Sequence, residues 1–248
     1  MTEKELLLKK NSYKFEDLLV LMDVLRSKDG GCPWDSEQNH RSIRNSFIEE
    51  VYEAVEAIDD ADDVHLCEEL GDVLFSVVFH AAIAKSEGSF DMDDVLNGIC
   101  RKMIHRHPHV FGQVVANDSQ TVLKNWDEIK KEEKSQRSQA DVLRSISRTL
   151  PSLMRAQKLM KKCEKLGHDK STHTPSWLTH KQTVLDQLQQ IETLQGEKRS
   201  VSDQLGELLL SVVGLCSDCG VDAEESLYFA CNRFIDSVEK ESETKGSN

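Results

Sequence analysis

Four carboxylates stand in two pairs, and the two members of each pair are three residues apart. Glu50 and Glu53 form the first pair, and Glu69 and Asp72 form the second. Residues three apart lie on one face of an α-helix, about one turn from each other. Buried carboxylates are unfavourable unless a proton or a cation balances their charge. If the two helices are neighbours, the four acids converge, and such oxygen ligands suit a hard divalent cation.

The alternative for the same residues is a pair of solvated acidic helix faces, which a chain with a formal net charge of -13 can easily contain. Spacing alone does not distinguish the two. The surrounding helices decide whether the acids can meet.

The hydrophobic pattern around the acids has a helical period, and alternation with a period of two is scarce. The chain has only 4 Pro and 12 Gly and is rich in helix formers. This composition and the helical period predict an all-α fold. The predicted helices cover approximately residues 15–27, 42–59, 63–86, 92–105, 119–134, 150–166, 178–195, 200–218 and 222–240. Both acid pairs fall in consecutive predicted helices, which favours their meeting.

The chain is predicted to contain two tandem helical bundles. A polar segment at 135–149 predicts a linker between a first domain, residues 1–134, and a second domain, residues 150–240. Residues 241–248 have no apolar anchor and are expected to be disordered.

An internal repeat relates the two halves, because residues 69–78 align with residues 204–213. On this register and its upstream continuation, three of the four acids are replaced by amides and one is kept as a carboxylate: Gln187, Gln190, Gln204 and Glu207. A neutral amide is a weak metal ligand and cannot balance a divalent charge. The second half is therefore expected to keep the helix packing and to lose the metal chemistry.

Composition limits the partners and the compartment. The negative net charge argues against non-specific binding to nucleic acid or to an anionic membrane. The most apolar stretch, residues 73–84, is too short for a membrane span. The N-terminus carries acids and does not resemble a secretory signal, and the seven cysteines are scattered. These features predict a protein of the reducing cytoplasm.

Two weaker patterns could also suggest metal. Cys216 and Cys219 form a lone CxxC, for which buried reduced thiols are the favoured interpretation. The residues from His105 to His109 include three histidines, but Pro108 interrupts the helix that would have to present them. Residues 31–35, in a loop predicted at 27–35, lack the spacing of a phosphate-cradling loop and are interpreted as a structural cap near the site.

The pattern Glu49-Glu50-x-x-Glu53, followed by Glu69-x-x-Asp72, resembles the signature of the MazG nucleoside triphosphate pyrophosphohydrolases. Four further segments match the family: 31–35, 106–111, 126–130 and 150–156. The resemblance covers nearly the whole chain. It implies an all-α bundle, Mg²⁺ dependence with Mn²⁺ as a substitute, a homodimer, and hydrolysis of a nucleoside triphosphate to a monophosphate and pyrophosphate.

The resemblance also implies a role for individual residues. Glu50, Glu53, Glu69 and Asp72 match the metal ligands, and Glu49 matches a position that could orient or activate water. A divalent cation suits this reaction because it neutralises phosphate oxygens. The first half is expected to hold the active site.

Four more residues match substrate positions of the family. Lys102 and Arg106 are four apart on one predicted helix and match positions used against phosphates; ordinary ion pairs are the alternative. Trp126 and Lys130 match positions that complete the nucleotide pocket, although Trp126 could equally be a packing residue. In the second half the position of Arg106 is taken by Ser237.

A function of another class fits the degenerate second half. The chain could be a catalytically silent helical module that senses nucleotides or binds a protein partner. Release of pyrophosphate by the purified protein distinguishes this alternative from the enzyme.

Overall fold

The computed structural model describes residues 2–116, 118–133, 138–166, 177–193 and 198–246. All regular structure within these ranges is helical, which confirms the predicted all-α fold. The helices are α1 (Glu3–Leu8), α2 (Phe15–Arg26), α3 (Pro33–Glu37), α4 (Arg44–Asp59), α5 (Asp63–Ser86), α6 (Met92–Arg106), α7 (Pro108–Phe111), α8 (Ser119–Glu133), α9 (Gln139–Arg144), α10 (Ser152–Lys165), α11 (Trp177–Thr193), α12 (Lys198–Asp218) and α13 (Ala223–Gly246). They form two compact units, residues 1–130 and 131–248.

In the first unit, α4 and α5 pack against each other as a hairpin, and α2 and α6 pack against α5. The connection between α4 and α5 is short, and Asp62 in it caps α5. The Asp62 side chain accepts hydrogen bonds from the backbone N–H groups of Val64 and His65. Ala54 and Ala57 are buried on α4 and let the two helices approach closely. The two acid pairs therefore lie on helices that pack against each other.

The core of this unit holds the hairpin against α2. It is built from five buried residues: Met22, Ile43, Val78, Phe79 and Ile83. The guanidinium of Arg26 lies over the Phe79 ring, with 5.2 Å between its carbon and the ring centroid. Arg26 also donates a hydrogen bond to the carbonyl of Asp35, so the segment after α2 is tied to the core.

In the second unit, α10 and α11 pack against α12, and α13 packs against α10 and α12. Gln157 on α10 is buried and donates from Nε2 to the carbonyl of Val221 at 2.7 Å, while its Oε1 accepts from the Ala223 N–H at 3.1 Å. Both polar ends of this amide are satisfied, so its burial costs little. Gln157 thus fixes the turn between α12 and α13.

The repeat extends further than the sequence analysis placed it. The offset of 135 residues that relates Glu69 to Gln204 also relates buried Met22 to buried Gln157 and buried Val78 to buried Val213. Helices α2 and α5 of the first unit thus correspond to α10 and α12 of the second.

One pair of core positions changes chemistry between the repeats. Asp218 takes the position of Ile83 at the offset of 135, and His180 takes the position of Ile43 at the offset of 137 that pairs Glu50 with Gln187. His180 Nδ1 lies 2.7 Å from Asp218 Oδ2. An imidazole and a carboxylate therefore contact each other where the first unit has two apolar side chains.

The structure differs from the sequence-based prediction in five short segments. Helices α1 and α7 were not predicted. Helix α3 begins at Pro33, inside the predicted loop at 27–35, because proline at the first helical position loses no backbone hydrogen bond. Helix α9 lies inside the predicted linker at 135–149, of which residues 135–137 are outside the described residues. The last helix continues to Gly246, through most of the tail expected to be disordered; residues 247 and 248 are outside the described residues.

Across the described ranges, no single helix is both long enough and apolar enough to cross a membrane. One bent pair, residues 200–218 with 223–242 at an angle of 102°, meets the length and composition requirements only when the two helices are taken together.

Candidate active site

Three carboxylates from the α4–α5 hairpin converge. Oxygen atoms of Glu50, Glu69 and Asp72 all lie within 4.8 Å of one another. Glu50 comes from α4 and is half-buried, whereas Glu69 and Asp72 come from successive turns of α5, one buried and one exposed. The cluster is therefore open to solvent on one side and walled by protein on the other.

Glu69 is the deepest member of this acid cluster. Only 7% of its surface is exposed. Its Oε2 is buried and has no hydrogen-bond partner, whereas Oε1 lies 3.1 Å from Nε2 of His65. A buried carboxylate oxygen without a partner is costly. All-oxygen ligands with an unsatisfied buried member fit a hard divalent cation such as Mg²⁺.

The negative charges of the cluster act on Glu50. Its pKa is raised, first by burial, then by the charges of Asp72, Glu53 and Glu69, and also by a side-chain hydrogen bond with Glu53. Burial and the neighbouring carboxylates thus both disfavour the ionised form of Glu50. A bound cation would favour that form.

The other two predicted acids of α4 are exposed. Glu53 reaches Glu50 through the hydrogen bond just described, but it is not one of the three residues whose oxygens meet within 4.8 Å. Glu49 precedes Glu50 on α4 and points its exposed side chain to solvent. The hairpin thus brings three of the four predicted ligands together and places the fourth next to them.

A second cluster joins the end of α6 to α8. The guanidinium carbon of Arg106 lies 5.3 Å from the centroid of the Trp126 ring, which is a cation–π contact. His107 meets the same indole edge-on, with 5.0 Å between the ring centroids. Two predicted substrate residues that are twenty positions apart are therefore in contact.

The two predicted lysines flank this cation–aromatic cluster. Lys102 is exposed and lies one turn before Arg106 on α6, and Lys130 is half-buried and lies one turn after Trp126 on α8. Neither lysine makes an ion pair with another residue in the described part of the chain. Since α6 packs against α5, both lysines and Arg106 belong to helices of the unit that carries the acids.

Comparison with known proteins identifies the family. The model of the MazG nucleotide pyrophosphohydrolase domain matches residues 38–111, which include the acid cluster and Arg106. The chain is 39% identical over 229 residues to the nucleoside triphosphate pyrophosphohydrolase of Escherichia coli strain K12, covering 89% of this chain and 84% of that protein. This chain belongs to the MazG family. It is also 35% identical over 233 residues to the nucleoside triphosphate pyrophosphohydrolase/pyrophosphatase MazG of Thermotoga maritima, covering 94% of this chain and 87% of that protein.

In the second unit α11 and α12 also pack against each other, but three of the four acid positions carry amides. Gln187 on α11 is half-buried, as Glu50 is, and its Oε1 is buried without a hydrogen-bond partner. Gln204 and Glu207 on α12 take the positions of Glu69 and Asp72. Among the described residues, the acid cluster of the first unit is the one group of three potential ligands that meets the distance requirement.

Two histidines were given no role at this candidate site from the sequence alone. His65 contacts Glu69, and His107 contacts Trp126. The first could have been found, because His65 and Glu69 are four apart on one predicted helix and so share a face. The second depends on the packing of α8 against the end of α6, which local spacing does not specify.

Proposed function

We propose that this protein is a Mg²⁺-dependent nucleoside triphosphate pyrophosphohydrolase whose active site lies in the first unit, with Mn²⁺ as a possible substitute. The observation that carries the proposal is the convergence of carboxylate oxygens from Glu50, Glu69 and Asp72 within 4.8 Å of one another, together with a buried Oε2 of Glu69 that has no hydrogen-bond partner. The names of the E. coli and T. maritima relatives support the reaction type.

The reaction joins a water oxygen to the α-phosphorus of the nucleotide and breaks the bond from that phosphorus to the bridging oxygen. Pyrophosphate leaves with the electron pair of that bond, and the water gives up a proton. A divalent cation, when bound, screens the phosphate oxygens and makes water a better nucleophile. Glu50, Glu69 and Asp72, with Glu53 beside them, would hold it. The exposed carboxylate of Glu49 would orient the water or accept its proton.

The cation–aromatic cluster would bind the nucleotide. Arg106 offers a planar fork that matches phosphate oxygens, and Lys102 adds a second positive charge one turn away. Trp126 offers an apolar ring against which a base can stack, with Lys130 on the next turn. The substrate class is therefore a nucleoside or deoxynucleoside triphosphate, and a role in removing surplus or non-standard nucleotides would follow.

We further propose that the protein is a homodimer. Helix α4 exposes a stripe of apolar side chains with a 3-4-3 spacing: Ile48, Val51, Val55 and Ile58. Leu70 and Leu74 extend the exposed apolar surface onto α5. Exposed apolar side chains grouped on adjacent packed helices are typical of an interaction site, and a second copy would cover them. Light scattering after size-exclusion chromatography measures the mass in solution, which should be twice that of the chain.

The cytoplasm is the proposed location. The seven cysteines, at positions 32, 67, 100, 163, 216, 219 and 231, are all free thiols. Free thiols in this number are typical of a reducing compartment.

The test is release of pyrophosphate from a panel of canonical and modified triphosphates, with and without Mg²⁺. Monophosphate plus pyrophosphate are the expected products, and diphosphate plus inorganic phosphate would identify a different hydrolase. Excess EDTA should abolish turnover, and Mg²⁺ should restore it. Equal rates of pyrophosphate release from the parent and a Glu53→Gln variant would point to a contaminating activity and would favour the silent nucleotide-sensing module.

A further inference from the structure

His65 contacts the buried member of the acid cluster from the preceding turn of α5. Its Nε2 lies 3.1 Å from Oε1 of Glu69, within hydrogen-bonding distance. The other carboxylate oxygen, Oε2, has no hydrogen-bond partner. The two oxygens of Glu69 therefore have different surroundings: one has the imidazole, and the other is left for a ligand.

Helix formation does not account for a histidine at this position. His65 is the third residue of α5, after the cap Asp62, where the helix dipole favours acidic side chains and disfavours positive ones. Asp62 already satisfies the free backbone N–H groups of this turn, including that of His65. The imidazole side chain is thus not needed to start the helix.

The internal repeat gives an independent comparison. The offset of 135 residues places Ser200 at the position of His65 and Gln204 at the position of Glu69. A serine side chain is too short to reach across a helical turn to the end of a glutamine. The second unit lacks the imidazole where it also lacks the acid.

We propose that His65 is a positioning residue for Glu69, which fixes the carboxylate so that Oε2 faces the cation. The proposal rests on the proposed metal site. Outer hydrogen-bond partners of this kind orient metal-binding carboxylates, and their loss typically weakens metal binding by roughly 10- to 100-fold. A residue in this role need not touch the cation or the nucleotide.

The experiment measures Mn²⁺ binding by titration calorimetry on the full chain without nucleotide. His65→Ala should weaken the Mn²⁺ dissociation constant by about 10-fold or more. His65→Gln, whose amide can still donate to Oε1, should recover most of the affinity. Val64→Ala is the matched control, because Val64 lies on the same turn with 82% of its surface exposed and should bind as the parent does.

The variant Glu69→Gln separates failure of this proposal from failure of the metal site. If Glu69→Gln loses Mn²⁺ binding while His65→Ala binds as tightly as the parent, the positioning role is wrong and the metal site stands. If Glu69→Gln binds Mn²⁺ as tightly as the parent does, the positioning role and the proposed metal site are both wrong. Equal losses in His65→Ala and His65→Gln would also contradict the positioning role, because the amide preserves the donor.

Discussion

The carboxylate oxygens of Glu50 and Asp72 lie within 4.8 Å of each other although the two residues belong to different helices. Packing of α4 on α5 imposes this approach of like charges, since neither helix alone brings the two together. Like charges at this separation repel, and the raised pKa of Glu50 reflects burial first and then this repulsion. Packing of the hairpin therefore brings an unfavourable electrostatic repulsion, which a bound cation would offset.

Neutral replacements in the acid cluster should remove activity and leave the fold intact. Glu69→Gln and Asp72→Asn should each reduce the rate of pyrophosphate release by at least about 100-fold, because a catalytic cation contributes several kcal/mol. The matched control is Glu207→Gln, the same kind of change at the equivalent position of the second unit. A comparable loss in Glu207→Gln would contradict the assignment of activity to the first unit.

Glu50→Gln should stabilise the protein in EDTA at neutral and higher pH. A pKa raised in the folded state means that ionised Glu50 opposes folding above that pKa. The cost disappears as the pH falls to the ordinary carboxyl value of 4.5 and below, where the group is protonated in both states.

Thermal unfolding as a function of pH measures this effect. The unfolding midpoint temperature of Glu50→Gln should exceed that of the parent at about pH 8, and the difference should vanish at about pH 4. Glu56→Gln, an exposed change on the same helix, is the control. A difference that stays constant with pH would show that ionisation of Glu50 is not its cause.

Arg106→Lys should lower kcat/KM by about 10-fold although it keeps the charge. Lysine loses the planar fork for phosphate, and its ammonium group also gives up the stacked geometry over the Trp126 ring. Steady-state pyrophosphate release measures the change. Arg101→Lys is the control, because Arg101 is exposed on the same helix. Equal kcat/KM values for the two variants would argue against phosphate binding by Arg106.

Two glycines on α12 should respond in opposite directions to alanine. At Gly214 an added Cβ would lie 2.6 Å from Nε2 of buried His180, so Gly214→Ala should destabilise the second unit by about 1–3 kcal/mol. At Gly206 nothing lies within 4 Å of the added atom, so Gly206→Ala should stabilise the helix by up to about 1 kcal/mol. Urea unfolding measures both. Shifts of the same sign would contradict the close contact with His180.

The helices that carry the acid cluster could be predicted from the sequence because their signals are local. Helical periodicity places α5 at 63–86, as observed, and the three-residue spacing puts Glu69 and Asp72 on one face. The short helices were missed for lack of an apolar stripe. Helix α9 was nevertheless recognisable from its capping box, in which Ser138 and Asp141 bond reciprocally to each other's backbone N–H groups.

Contacts between distant segments could not be predicted in the same way. The stacking of Arg106 on Trp126 crosses the break at Pro108 and the whole of α7. The substitution of an Ile pair by His180 and Asp218 becomes visible only when the packed helices fix the register of α11 against α12. Both depend on tertiary packing rather than on residue spacing along one helix.

The amides of the second unit have an evolutionary consequence. A glutamine codon becomes a glutamate codon by one nucleotide change, so Gln187, Gln190 and Gln204 are three such changes from a second set of four carboxylates. The hairpin that would carry them is intact, and Oε1 of Gln187 is already buried without a partner. The second half therefore carries a scaffold on which a second acid cluster could arise by drift or be introduced by design.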